Sequence, residues 1–201
     1  PLLNVSILAW NAQHVPLSAA WWNFPSFAPL SGVTAFTEHL LWAYPIATPV
    51  IWLTGNAVLA HNVVMLALFP LNGWAMYLLA RAITGSSPAA FIGGLAFAFA
   101  PHHSVHLSHI QVIALFGMPL GMLGLHRALA SGAGRSALPA LALFGVGWFV
   151  TALSNAYMLV FFPVLVALWC AWFVRPREWR RLVAPVGTAI LFTVPLVPLL
   201  R

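Results

Sequence analysis

Charged side chains are nearly absent from this chain. Its 201 residues include eight arginines and two glutamates, but no lysine and no aspartate. A soluble domain carries about 25% charged residues, whereas this chain has 5%, is 62% hydrophobic and has a mean hydropathy of +0.95. So few charges cannot cover a surface that faces water. The composition therefore excludes a soluble globular protein and predicts an all-α, polytopic membrane helix bundle.

The cysteine content and the net charge restrict the possible functions further. Cys170 is the single cysteine, so no disulfide can form within the chain. The formal net charge of +6 comes from arginines that lie between apolar runs, where cytoplasmic loops carry them. This placement argues against a nucleic-acid partner and makes the lipid bilayer the expected one.

The apolar runs predict about six membrane spans, in residues 57–201. Their approximate limits are 57–80, 89–100, 110–130, 138–153, 157–174 and 182–200. The second begins with a dozen apolar residues, which is short for the roughly 20 that a crossing needs. We therefore expect it to run on into the polar stretch that follows.

Residues 1–56 are expected to form an outer loop with interfacial helices. Residues 2–15 alternate apolar and polar side chains at helical spacing, a pattern typical of a helix in the membrane interface. Residues 37–54 are apolar enough to cross, but begin with Glu38 and His39 and contain Pro45 and Pro49. Because internal prolines kink a helix, we expect a re-entrant or interfacial segment there.

The arginines predict the topology. Arg81, the pair Arg127 and Arg135, and the cluster in residues 175–181 lie two predicted spans apart. The positive-inside rule places all three groups in the cytoplasm. Glu38 and Asn155 are then expected on the opposite, extracytoplasmic face of a multi-pass protein in the cytoplasmic (inner) membrane.

A histidine-rich stretch stands out on that predicted outer face. Residues 100–111, here named the histidine segment, contain four of the eight histidines: His102, His103, His106 and His109. On a helix, His102, His106 and His109 would share one face and His103 would point about 100° away. Such a face could bind a metal, hydrogen-bond phosphate or sugar hydroxyls, or simply lie in water at the end of a span.

Several motifs in order resemble a bacterial multi-span family of the GT-C glycosyltransferase superfamily. They cover roughly the first 130 residues, and residues 154–157 (SNAY) add a weaker match. The motifs are residues 36–41 (FTEHLL), 53–56 (LTGN), 77–86 (YLLARAITGS), 96–101 (AFAFAP) and 106–111 (HLSHIQ).

The resemblance implies an inverting transferase that moves a sugar from a polyprenyl-phosphate donor to an acceptor on the outer membrane face. The chain would then be part of a GT-C-like transmembrane domain. In this superfamily an acidic residue of the first outer loop acts as catalytic base. Related sequences have an acidic residue just before the stretch that matches residues 1–4, so we expect the protein to continue upstream of Pro1.

The candidate catalytic residue is Glu38, the only carboxylate on the predicted outer face. An ionisable group at membrane depth is a functional candidate by default; alternatively, Glu38 only favours the dipole of a following helix. The sequence assigns no residue as a metal ligand. It leaves the cofactor open, with a divalent metal as one candidate. The candidate substrate-binding residues are Asn4, Asn11, His14, His39, His102, His103, His106, His109, Gln111 and Asn155.

A transporter or channel subunit is the alternative function. Such a protein would equally show many spans, broken helices and buried polar groups. Prolines in residues 45–49 and 195–198 are what a discontinuous helix would contain. The sequence contains no visible inverted repeat and no charged residue in the middle of a predicted span, which favours the transferase.

Overall fold

The computed structural model describes residues 1–131, 137–155 and 157–200, and all regular elements in these ranges are helices. This confirms the all-α prediction. Arg135, used in the topology prediction, and Ala156, part of the resemblance, lie outside the described residues. The α-helices are α1 Leu2–Gln13, α2 Tyr44–Thr54, α3 Ala57–Thr84, α4 Ser87–Ala98, α5 Pro101–Val105, α6 Ile110–Ile113, α7 Gly117–Ser131, α8 Leu138–Ser154, α9 Met158–Phe173 and α10 Val183–Thr193.

Three helical stretches are long and apolar enough to cross a membrane. Within the described residues these are Ala57–Thr84, Ile110–Ser131 and Pro176–Val197, with mean hydropathies of 1.8, 1.5 and 1.4. Two shorter apolar helices, α8 and α9, have 17 and 16 residues. The structure thus supports a membrane helix bundle, while the total of six spans stays a prediction.

The longest helix among the described residues is α3, which packs against α1, α2, α4 and α7. Its 28 residues correspond to about 42 Å of length. The Asn56 side chain caps its start by accepting a hydrogen bond from the Leu59 amide at 2.9 Å. Gly85, at φ +68°, ends the helix in the left-handed conformation that glycine adopts without strain. Both ends are thus fixed by local sequence.

Helix α4 packs antiparallel to α3 and covers only about half of it. Gly93 faces Ala80, Gly94 faces Tyr77, and Ala98 faces Gly73. At 12 residues, α4 rises about 18 Å. The chain therefore leaves the helix beside the middle of α3, and the expectation that this span continues as one helix into the histidine segment is wrong.

Helices α7 and α8 form a second antiparallel hairpin, in which glycines bring the two backbones into contact. Gly117 lies beside Thr151, Gly121 beside Gly147, and Gly124 beside Phe144. A Cβ atom at Gly147 would overlap the backbone of Gly121 and lie 2.7 Å from the Gly117 carbonyl oxygen. We name α4, α7, α8 and residues 73–84 of α3 the glycine layer.

The other half of α3, residues 57–72, has different neighbours: α1, residues 38–54 with α2, and residues 99–116. We name this half of α3 and these neighbours the polar layer. Its core contains apolar side chains from each of these parts, including Leu8, Ala47, Val64 and Ile113. Helix α2 has 11 residues, or about 16 Å, and cannot cross a hydrocarbon core of about 30 Å. This agrees with the interfacial assignment, and α1 agrees with the predicted first helix.

Candidate functional site

The histidine segment is not one helix, so the shared face that a continuous helix would give to His102, His106 and His109 does not form. Helix α5 ends at Val105, and the chain continues in turns in which the His106 amide donates to the His103 carbonyl and the His109 amide donates to the His106 carbonyl. Helix α6 then begins at Ile110. Ala100 precedes Pro101, and the proline ring sterically disfavours the helical conformation of the residue before it. The break from α4 therefore has a local cause.

The four histidines nevertheless stay close to one another. The rings of His102 and His106 lie 4.5 Å apart between centroids, and those of His106 and His109 lie 6.4 Å apart. His102 and His109 are exposed and His106 is half-buried. Within the described part of the chain, no three His, Cys, Asp or Glu side chains are grouped as metal ligands would be. The row of rings thus presents imidazoles to the surface without a metal-binding arrangement.

Asn4 fixes α1 to the histidine segment. Its Nδ2 donates to Gln111 Oε1 at 3.0 Å and to the Ser108 carbonyl oxygen at 3.2 Å. Both amide side chains are buried. Asn4 and Gln111, predicted to bind substrate, therefore hydrogen-bond each other and hold two parts of the polar layer together.

Asn11 makes the corresponding connection at the other end of α1. Its Nδ2 donates to the His39 carbonyl oxygen at 2.8 Å, and its Oδ1 accepts from Trp21 Nε1 at 2.7 Å. Asn4 and Asn11 are seven residues apart, which is two helical turns, or about 10 Å along the axis. One face of α1 therefore contacts the histidine segment at one end and the residues around Glu38 at the other.

Glu38 lies half-buried in the extended stretch between two short helical turns. It makes no hydrogen bond or ion pair among the described residues, and burial raises the pKa of its carboxyl group. Helix α2 begins at Tyr44 and has no acidic residue in its first turn, so the alternative role in the dipole of that helix is not supported. A partly buried carboxylate with a raised pKa suits a general base.

The backbone beside Glu38 is strained. Leu40 is fully buried and has φ 50°, in the left-handed region that a bulky residue rarely adopts. Such strain persists only where the surrounding structure enforces it, and it is common at functional sites. His39 stacks on Trp21 with ring centroids 5.9 Å apart, and burial lowers the pKa of its imidazole. Its Nε2 has no hydrogen-bond partner among the described residues.

His14 and Asn155 have local partners. The His14 ring stacks on Trp10 at 3.6 Å, and its Nδ1 lies 3.1 Å from the Trp10 carbonyl oxygen. The Asn155 Oδ1 accepts from the Tyr157 amide at 2.8 Å, which orders the turn into α9. Neither contact joins these residues to Glu38 or to the histidine segment.

Asn72, in the middle of α3, was missed by the sequence analysis. Its Nδ2 donates to the Ile113 carbonyl oxygen at 2.8 Å, and its Oδ1 accepts from the Leu115 amide at 3.2 Å. It thus satisfies backbone groups at the break between α6 and α7, because residues 114–116 are not helical. The available signal was an asparagine in the middle of a predicted span, since polar residues there usually connect helices.

Asn72 also contacts His103. Its Nδ2 lies 3.1 Å from His103 Nε2, and His103 is only 2% exposed. The Nδ1 atom of His103 has no hydrogen-bond partner among the described residues, and burial, with a smaller contribution from neighbouring His102, lowers the pKa of the ring. His103 is therefore the buried histidine of its segment, and its neutral form is favoured.

The candidate residues thus fall into one connected region and two separate positions. The region joins Glu38 and His39, through Asn11 and Asn4 on α1, to Gln111 and the histidines; His14 and Asn155 lie apart from it. No hydrogen bond or ion pair in the described ranges joins Glu38 directly to a histidine of the segment. Comparisons with protein families, with curated proteins and with solved structures found no match to this chain.

Proposed function

We propose that this chain is part of a membrane glycosyltransferase of the GT-C type, which moves a sugar from a polyprenyl-phosphate donor to a hydroxyl acceptor on the outer membrane face. The observation that carries the proposal is the arrangement along α1. Asn11 holds the residues beside a half-buried carboxylate, Glu38, and Asn4, two turns away, holds the segment that exposes imidazoles. A carboxylate base and phosphate-binding donors within reach of one helix are what such a transfer requires.

The chemistry of an inverting transfer assigns a role to each group. Glu38 accepts the proton of the acceptor hydroxyl as its oxygen forms a bond to C1 of the sugar. The bond between C1 and the phosphate oxygen breaks, and polyprenyl phosphate leaves with the electron pair. The exposed imidazoles of His102 and His109 donate hydrogen bonds to that phosphate as its charge increases.

Burial prepares Glu38 for this role. A carboxylate whose pKa is raised by desolvation is a stronger base than one in water. No arginine or histidine pairs with Glu38 among the described residues, so its basicity is not reduced by an ion pair.

The test is transfer of a labelled sugar from polyprenyl phosphate by the full-length protein in nanodiscs. Glu38→Gln retains the shape of the side chain and removes the base, so kcat should fall about 100-fold or more. Replacing His102 and His109 together by alanine should raise KM for the donor more than it lowers kcat. Glu178→Gln is the matched control, because Glu178 is the only other carboxylate side chain and pairs with Arg181 on a different loop.

Turnover that is unchanged in Glu38→Gln, with unchanged donor affinity in the histidine variant, would refute the proposed site. A loss in Glu178→Gln as large as that in Glu38→Gln would show a general effect on folding. Both variants should elute as the wild-type protein does in size-exclusion chromatography.

A transporter is the second candidate, and one observation favours it. The stretch Ile110–Ser131 is interrupted at residues 114–116, and Asn72 binds the backbone at that interruption. Discontinuous helices with exposed backbone groups form binding sites in transporters. Uptake of solute by proteoliposomes without any transfer of sugar would favour this candidate over the transferase.

A further inference from the structure

A long apolar groove lies among the last three α-helices of the chain. It has a volume of about 920 Å³ and lies between α8, α9 and α10. Nearly all of its wall is apolar, and its lining includes Trp148, Val166, Ala171, Pro185, Ala189 and Ile190. None of the residues proposed above for sugar transfer lines it.

The groove has a length that matches one leaflet of a membrane. Along α9 and its C-cap, the lining extends from Pro163 to Val174, which is 11 residue steps, or about 16 Å. The hydrocarbon core of a bilayer is about 30 Å thick, so one leaflet contributes about half of that. An acyl chain lying in the groove would therefore fill it along its whole length.

One end of the groove is cationic. Arg175 and Trp179 line it there, and the turn Pro176–Leu182 adds three more arginines. Arg181 pairs with Glu178 at 3.0 Å, while Arg175, Arg177 and Arg180 make no ion pair within the described residues. Trp179 is 59% exposed, and tryptophan is enriched at the level of lipid headgroups. This end therefore has the composition of a membrane interface.

We propose that the groove binds an anionic phospholipid, with its phosphate at Arg175 and Arg177 and an acyl chain between α9 and α10. Guanidinium groups bind phosphate through charged hydrogen bonds, and basic residues beside a span attract anionic lipids. A further apolar helix, from this chain or from a second copy, would instead cover Arg175 without supplying a counter-charge. The arginines at this end of the groove therefore favour an anionic lipid over a further helix of this chain or of a second copy. This site is independent of the proposed transferase function.

The experiment measures lipid binding by native mass spectrometry and by thermal unfolding of the full-length protein in detergent. Phosphatidylglycerol should bind and raise the unfolding midpoint, because a ligand of the native state stabilises it; phosphatidylcholine and inorganic phosphate alone should not. Arg175→Gln and Arg177→Gln should each weaken phosphatidylglycerol binding about fivefold, the worth of one basic residue near an anionic surface. Ala171→Phe, which fills the groove, should abolish binding.

Two matched controls separate the site from general effects. Arg81→Gln removes the same charge from an exposed arginine outside the groove, and Ala96→Phe adds the same bulk to an exposed position of α4. Both should bind phosphatidylglycerol as the wild-type protein does. If Arg81→Gln weakened phosphatidylglycerol binding as much as Arg175→Gln does, the effect would depend only on net charge, and the proposal would be overturned. The proposal would also be overturned if inorganic phosphate alone stabilised the protein, or if the full-length protein bound no lipid. A change of oligomeric mass in Ala171→Phe without loss of lipid would overturn it as well.

Discussion

The two halves of α3 pack against different kinds of neighbour. In the glycine layer, α3 meets α4 at Gly73 and Gly94, and α7 meets α8 at Gly121 and Gly147, with backbone close to backbone. In the polar layer, the neighbours are short helices and turns held by side-chain amides, above all Asn4, Asn11 and Asn72. One layer is fixed by steric fit and the other by a small number of directional bonds.

The difference indicates where binding can occur. Close glycine packing leaves little freedom to rearrange, because interiors at this density transmit any change in volume. Irregular backbone at membrane depth is tolerated only where protein or a water-filled cavity satisfies it. The polar layer has such backbone around residues 99–116 and contains Glu38 and most of the histidines. We therefore expect the glycine layer to act as the scaffold and the polar layer as the site.

The largest expected effect comes from adding one methyl group to the glycine layer. Gly147→Ala places a Cβ against the backbone of Gly121, which cannot move unless the helices separate. The free energy of unfolding should fall by about 3 kcal/mol, the upper part of the range for overpacking, as measured by denaturant unfolding in detergent. Gly187→Ala is the control, because nothing lies within 4 Å of a Cβ at that position of α10. Equal stability of the two variants would contradict the close packing of α7 and α8.

A moderate effect is expected from removing the amide of Asn72. Asn72→Leu leaves the Ile113 carbonyl and the Leu115 amide without their partner, and hydrogen bonds between helices in membranes contribute about 0.6 kcal/mol each, up to about 1.7. We expect a loss of about 1–2 kcal/mol and faster hydrogen exchange in residues 110–117, with α8 unchanged. Asn62→Leu, an exposed position on the same helix, should have little effect. Uniformly faster exchange in both layers would show that the layers are not separable.

The smallest effect is a dependence of the polar layer on pH. His39 is half-buried and His103 is buried, and burial lowers the pKa of each ring below 6.5. Because the folded state favours the neutral rings, they contribute to the free energy of unfolding above pH 6.5. This contribution is lost as the pH falls through the lowered pKa values of the folded state. Glu38 acts in the opposite direction, since its raised pKa favours the folded state at low pH.

The measurement for this third prediction is hydrogen exchange at pH 7.5 and 5.5, corrected for intrinsic rates, in a Glu38→Gln background. Residues 101–106 should lose protection at the lower pH, and α7 and α8 should not. The further substitution His103→Gln should remove most of that loss. A loss of protection in the glycine layer of the same size would contradict the assignment to these histidines.

Much of the helical architecture could be predicted from hydropathy. The predicted runs 57–80, 138–153 and 157–174 correspond closely to α3, α8 and α9, because length and apolarity are local properties. Helices α1 and α2 of the first loop were also predicted from local patterns, with the prolines of residues 45–49 as a second signal, while their interfacial position stays a prediction.

The geometry of the candidate site could not be predicted in this way. At the break in residues 114–116, Asn72 bonds to the backbone of Ile113, which lies 41 residues later in the chain. No local sequence pattern spans that separation. Similarly, Gln111 and Asn4 are 107 residues apart, so hydropathy could place both on one membrane face but could not show that they bond to each other. His103 differs from His102 only through the packing around α5.

The position of Asn72 also has a consequence for how the protein is made. The residue lies nine positions before Arg81, or about 14 Å along the helix axis. If Arg81 marks one membrane boundary, the amide lies near the middle of a hydrocarbon core of about 30 Å. A ribosome adds about 5–20 residues per second, so Ile113 is synthesised about 2–8 seconds after Asn72. During that interval α3 carries an unsatisfied amide, which favours retention of the helix beside the insertion machinery until residues 110–116 arrive.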